Sequence, residues 1–368
     1  MKNLLCFQCK LQVLKLVSAF LQIYKPVILL LMITALASCS KEPSVLTTPN
    51  EKEVLPLPVP NYSVSLNSAQ IPSLLTLVSK NEEDIKVSIS GPSLKEVYTD
   101  RELAINLNKE GVYIINYQVS NKTGTSEKND TLVVFCTSSL PNFLQTNLDG
   151  VTVNIQKDIA FNLQNQADFR FLLSRILRIK AQVPDWFFQF VEKTKIWVDN
   201  SSVDGSAWYN ASAEWLVENG YPREMAKGVQ ITNLRNYVDW TRKNQPEMLL
   251  HEMSHAYHHQ VMVQGYNNPF IMSAYTTSMS SGKYNSVDYS LGGKQKAYAT
   301  NNQIEFFAEL TEAWFGKNDY YPFTKEELRI FDLPGYELMN KVWKLRLYRF
   351  VIRGNCLTTQ RNYAEYNI

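Results

Sequence analysis

The chain has 368 residues, 45% of them hydrophobic and 12% aromatic, enough to bury an ordinary core and too many for a disordered chain. Its 37 basic and 35 acidic side chains give a formal charge of +2, but Lys2, Lys10, Lys15 and Lys25 lie in an N-terminal stretch with no acidic residue. Setting those four aside leaves 33 against 35, so no basic field remains to hold nucleic acid.

Lys25 is followed by PVILLLMITALASC, an apolar run of about a dozen residues that is too short to span a bilayer and reads as a signal-peptide core. Its end, Leu36-Ala37-Ser38-Cys39, resembles a bacterial lipobox, in which small residues precede a cysteine that becomes the acylated N-terminus. The resemblance implies a leader over 1–38, lipidation at Cys39 and a place in the cell envelope. No Asp follows Cys39, which fits sorting to the outer membrane. Of the other cysteines, Cys6 and Cys9 fall in the leader, and a bridge between Cys136 and Cys356 is left open by the sequence.

Residues 39–61 carry Pro43, Pro49, Pro56, Pro58 and Pro60 among polar neighbours, the composition of an extended tether. From 62 to 140 the pattern has period two: Ile85, Val87 and Ile89 alternate with polar residues, as do Leu103, Ile105 and Leu107. Short strands separated by turns predict an all-β sandwich. The strand GVYIINYQVSNKTG places Tyr113, Ile115, Tyr117 and Val119 on one face, and its Gly-x-Tyr-x-x-x-Tyr followed by Asn-x-x-Gly resembles the penultimate hairpin of bacterial Ig-like domains.

From 141 to 368 helices mix with isolated strands, an α+β grammar: helix over 168–180, strand over 195–198, helix over 207–219, strand over 228–232. Pro246 and Glu247 suit the first turn of a further helix, MLLHEMSHAYHHQVM. All four histidines of the chain, His251, His255, His258 and His259, stand on it. At 100° per residue His251, His255 and His258 form one stripe, opposite Leu249, Leu250, Met253, Ala256 and Tyr257.

His251-Glu252-x-x-His255 is the HExxH arrangement, in which two imidazoles one turn apart grip zinc and the glutamate reaches the attacking water. The metzincin class is excluded, because residue 261 is Val rather than a third histidine. A catalytic site needs a third protein ligand, and the helix NNQIEFFAELTEAWFG offers Glu305, Glu309 and Glu312 on one face. Spacing alone does not choose among the three.

HExxH followed some fifty residues later by Tyr-x6-Glu-Phe-Phe-Ala-Glu resembles the catalytic domain of anthrax lethal factor and its bacterial zincin relatives. The resemblance implies a zincin metallopeptidase fold over 141–368, Zn2+ bound by His251, His255 and Glu305, Glu252 as general base and Tyr298 assisting catalysis. It also implies Glu309 as a partner behind the ligands. His258, one turn beyond them, is read in the same supporting role, and His259 as a surface residue. The expected activity is hydrolysis of peptides or proteins by an enzyme anchored to a membrane through its lipid. The alternative is a catalytically silent zincin-fold lipoprotein that acts as a binding or adhesion module.

Overall fold

Alternation of apolar and polar residues builds the N-terminal part. The computed structural model describes residues 56–202 and 207–344; the expected leader, Cys39, most of the tether and Cys356 lie outside them. Strands β1 (Tyr62–Leu66), β2 (Ser73–Ser79) and β5 (Glu102–Leu107) form one antiparallel sheet in the order β1-β2-β5. Strands β3 (Asp84–Gly91), β4 (Leu94–Tyr98), β6 (Gly111–Ser120) and β7 (Thr125–Val134) form a second, β4-β3-β6-β7.

Ile85, Val87 and Ile89 face inward with Tyr113, Ile115, Tyr117 and Val119, as their period predicts, and meet Leu75 and Leu77 of the other sheet in one core. Buried tyrosine needs a partner for its hydroxyl. Tyr117 Oη lies 2.6 Å from Ser79 Oγ and donates to Asn81 Oδ1 at 3.1 Å, while Tyr113 donates to the Lys109 carbonyl at 2.9 Å. Gly91 is required here because a Cβ would run into the Tyr113 ring.

Alternate residues of β7 serve two cores. Leu132 and Val134 point into the sandwich, whereas Val133 and the following Phe135 belong to a larger core beyond it. Strand β8 (Cys136–Thr137) then joins a mixed sheet with β9 (Phe143–Leu148), β10 (Val151–Gln156), β11 (Ile196–Val198), β12 (Ala207–Tyr209) and β13 (Val229–Ile231), in the order β12-β13-β11-β10-β9-β8. The chain is therefore mixed α/β, with an N-terminal β-sandwich-like region and a helical C-terminal part.

The predicted helix over 207–219 is corrected. Ala207–Tyr209 is the edge strand β12, paired antiparallel with Val229–Ile231, and helix α2 (Ala213–Glu218) starts only after Ser212, whose side chain accepts the Trp215 N–H. Long-range pairing overrides local propensity here, helped by Trp208 Nε1 donating to Gln230 Oε1 at 3.0 Å.

Helix α1 (Gln166–Gln182) buries Phe169, Leu172, Ile176 and Ile179 at helical spacing. Helices α3 (Met248–Gln260) and α4 (Gln303–Phe315) pack side by side, and α5 (Leu333–Lys344) closes over them with Trp343. The Trp343 ring lies 4.7 Å from that of Phe187, 5.2 Å from Tyr257 and 5.2 Å from Phe315, so aromatic packing fixes the two site helices in one frame. Among the described residues no helix is long and apolar enough to cross a membrane.

Pro246 and Glu247 stand just outside α3 rather than in its first turn. The Glu247 carboxylate, 2% exposed, turns to Arg178, accepting from Nε at 2.8 Å as well as from Nη2. A buried carboxylate gains more from a guanidinium fork than from the helix dipole alone.

Candidate metal centre

Every residue of α3 from Met248 to His258 is buried, and only His259 and Gln260 at its end reach the surface. Polar side chains held there must find partners within the fold. The Nε2 atoms of His251 and His255 converge on Glu305 Oε2, at 3.1 and 3.2 Å, with the two imidazoles edge to face and their centroids 4.6 Å apart. Glu305 is presented by the first turn of α4, which Asn302 caps by accepting the backbone N–H groups of Ile304 and Glu305, each at 2.9 Å.

If the neutral His251 ring keeps its proton on Nδ1, 2.6 Å from Glu312 Oε1, its Nε2 lone pair faces another acceptor, Glu305 Oε2. Two acceptors at this distance need a positive charge between them, a proton or a metal ion. Donor atoms bound to one tetrahedral ion at ~2.0–2.1 Å lie about 3.3 Å apart. The observed spacing fits, and His251, His255 and Glu305 form a group able to hold a metal ion. A second such group is His251 with Glu309 and Glu312.

Burial works against charge on Glu305, yet the hydrogen bonds from His251 and His255 outweigh it and hold this carboxyl well below the usual range. Burial likewise opposes charge on His251, but Glu305 and Glu312 keep its pKa raised, whereas burial lowers that of His255. Glu252 lies beside the ligands at 7% exposure, on the same cleft as Tyr209 of β12. Burial pushes its pKa up to about 8.

Tyr298 opens a short 3-10 turn, Tyr298–Thr300, directly before α4, and its ring centroid lies 6.4 Å from that of His251. It is 45% exposed, so the phenol is open to a ligand. His251, Glu252, His255, Tyr298 and Glu305 thus line one cleft of about 730 Å³. Trp208, Tyr209, Trp240, Tyr266, Tyr289 and Tyr320 are among its other walls.

Glu309, expected behind the ligands, lies there with its Oε1 3.9 Å from His251 Nδ1 and its Oε2 accepting from Asn318 Nδ2 at 3.0 Å, but the short bond to Nδ1 is made by Glu312. The two outer histidines differ from expectation. His258 makes no hydrogen bond to the ligands: neither ring nitrogen has a partner among the described residues, the ring packs against Tyr266 and Phe307, and burial pushes its pKa down to about 3. His259 is half-buried rather than superficial, its Nδ1 lying 2.8 Å from Tyr209 Oη and its ring stacked on Tyr266. Sequence offered no signal for this last contact, which joins residues fifty positions apart.

No family model matches the chain, and no curated protein matches it. Among solved structures, a neighbour is the solution structure of the PKD domain from the human VPS10 domain-containing receptor SorCS2. It is 17% identical and covers 28% of this chain and 97% of that one, with a TM-score of 0.19. A likeness at that level carries no argument.

Proposed function

We propose that the chain is a zinc-dependent peptidase of the bacterial cell envelope, in which a zincin metallopeptidase region follows an Ig-like sandwich. The observation that carries this reading is the convergence of His251 Nε2, His255 Nε2 and Glu305 Oε2 beside a buried Glu252. Two imidazoles and one carboxylate suit zinc, whereas magnesium and calcium prefer oxygen donors throughout. When bound, the ion supplies Lewis acidity to water and to the substrate carbonyl.

The chain's own residues do the rest. Glu252 takes the proton of the attacking water and passes it to the departing amine, a role that suits a carboxyl whose burial raises its basicity. Tyr298, exposed on the same cleft, donates a hydrogen bond to the carbonyl oxygen as negative charge develops there. Aromatic side chains line the cleft, which has room for several residues of an extended peptide. Anchorage rests on Leu36-Ala37-Ser38-Cys39 alone.

Metal analysis of the purified chain, joined to cleavage profiling on a diverse peptide library, tests the reading. One zinc per chain and cleavage lost in Glu252→Gln with metal retained are expected. Zinc without cleavage of any peptide would turn the protein into the silent binding module, and no bound metal would remove both readings.

A further inference from the structure

We propose that Glu312, held in turn by Gln245, is the positioning residue for His251, and that Glu309 is not. The proposal rests on the metal reading above. Glu312 Oε1 lies 2.6 Å from His251 Nδ1 and also accepts from Gln245 Nε2 at 2.8 Å, so one oxygen closes the chain Gln245–Glu312–His251. Glu312 is fully buried, at 0% exposure.

One helix thereby grips both ends of the same imidazole. Glu305 meets Nε2 and Glu312 meets Nδ1, and the two carboxylates are seven residues, about two turns or ~10 Å of helix, apart. Seven residues return almost to the same direction on a helix, whereas four residues overshoot by about 40°. That offset leaves Glu309 Oε1 3.9 Å from Nδ1, beyond hydrogen-bond reach, while its Oε2 accepts from Asn318. Because Phe306 through Trp314 are all buried, α4 cannot rotate to exchange the roles.

A carboxylate on the far nitrogen fixes the tautomer and the ring plane and raises the basicity of the nitrogen that faces the ion. Gln245 lines the cleft as well, so the chain reaches from the substrate wall to the ligand.

The test uses the full chain and four variants, Glu312→Ala, Glu312→Gln, Glu309→Ala and Gln245→Ala. Zinc affinity is read by competition with a chromogenic chelator, and the ligand field by the visible spectrum of the cobalt-loaded protein. Glu312→Ala is expected to weaken zinc binding ~10–100-fold and to shift the cobalt bands. Glu312→Gln keeps an acceptor for Nδ1–H in its amide oxygen, so it is expected to recover the wild-type cobalt spectrum with an affinity between the two. This variant also decides the matter if the alanine fails to fold. Glu309→Ala is expected to stay less than about tenfold from wild type, below the loss of a direct partner. Gln245→Ala should fall between Glu309→Ala and Glu312→Ala. The proposal is overturned if Glu309→Ala weakens zinc more than Glu312→Ala, or if both Glu312 variants keep wild-type affinity and spectrum. Should the wild-type chain take up neither ion, the metal reading itself fails and the assignment falls with it.

Discussion

Replacing Glu252 is expected to raise stability while, on the proposed function, it abolishes activity. Its carboxyl is 7% exposed, and burial, aided by the Glu305 carboxylate, raises its pKa from the ordinary 4.5 to about 8 against the pull of His251. That difference corresponds to roughly 4–5 kcal/mol of preference for the neutral form in the folded, metal-free chain. The unfolded chain releases the same proton near pH 4.5. Between pH 4.5 and 8 the folded state therefore binds more protons than the unfolded one, and unfolding free energy falls as pH rises. The stability this group contributes is full below about pH 4.5 and lost as pH rises through about 8.

Glu252→Gln keeps the shape and removes the titration. In chelator-treated protein the variant is expected to be about as stable as wild type near pH 4.5, and more stable at pH 8 by some 2–4 kcal/mol once relaxation and water entry are discounted. Urea unfolding of both proteins in EDTA, across that pH range, is the assay. Glu305, whose pKa is lowered, contributes the other way, whereas His251, whose pKa is raised, contributes the same way. Both touch the field of Glu252, so the difference between the two proteins reads the Glu252 carboxyl together with its coupling to these neighbours. With zinc present the gap should shrink, because a divalent cation favours the ionised carboxyl, and the glutamine variant should bind metal without turnover. Parallel wild-type and variant curves from pH 4.5 to 8 would refute the reasoning. A gain in stability at the position where activity is lost is the mark of a functional residue.

The sequence was legible where a short period carried the information. His251 and His255 lie one helical turn apart with Glu252 beside the first, and Tyr113, Ile115, Tyr117 and Val119 alternate, so their faces follow from geometry within one element. It was illegible where two elements had to meet. Glu305, Glu309 and Glu312 occupy one face of α4, and only the position of α3 beside it makes Glu312 the partner of Nδ1. Strand β12 was misread because Ala207–Tyr209 is held by Val229–Ile231, some twenty residues away. His259 and Glu247 were misread for the same reason, since Tyr209 and Arg178 come from distant segments.

Three further outcomes follow from particular contacts. Tyr298→Phe is expected to keep zinc and fold while kcat falls on the order of 10²–10³, as for a single oxyanion donor; an unchanged kcat would end that role. Arg178→Ala leaves the buried Glu247 carboxylate without its fork and should destabilise by about 1–3 kcal/mol, discounted because the Arg178 side chain is 40% exposed. A urea midpoint equal to wild type would show the pair to be idle. His258→Phe is the least intuitive, since it removes a buried histidine one turn from the ligands. Neither ring nitrogen of His258 has a partner, and its walls are the rings of Tyr266 and Phe307, so the fold already uses it as an aromatic spacer. A buried polar group without a partner costs about 1–3 kcal/mol, which phenylalanine avoids, while its slightly larger ring takes back part of the gain through tighter packing. Unfolding free energy is therefore expected to be unchanged or up to ~2 kcal/mol higher, with zinc affinity at the wild-type value. Loss of zinc in this variant would mean that His258 does support the ligands, through a contact other than the hydrogen bonds it lacks.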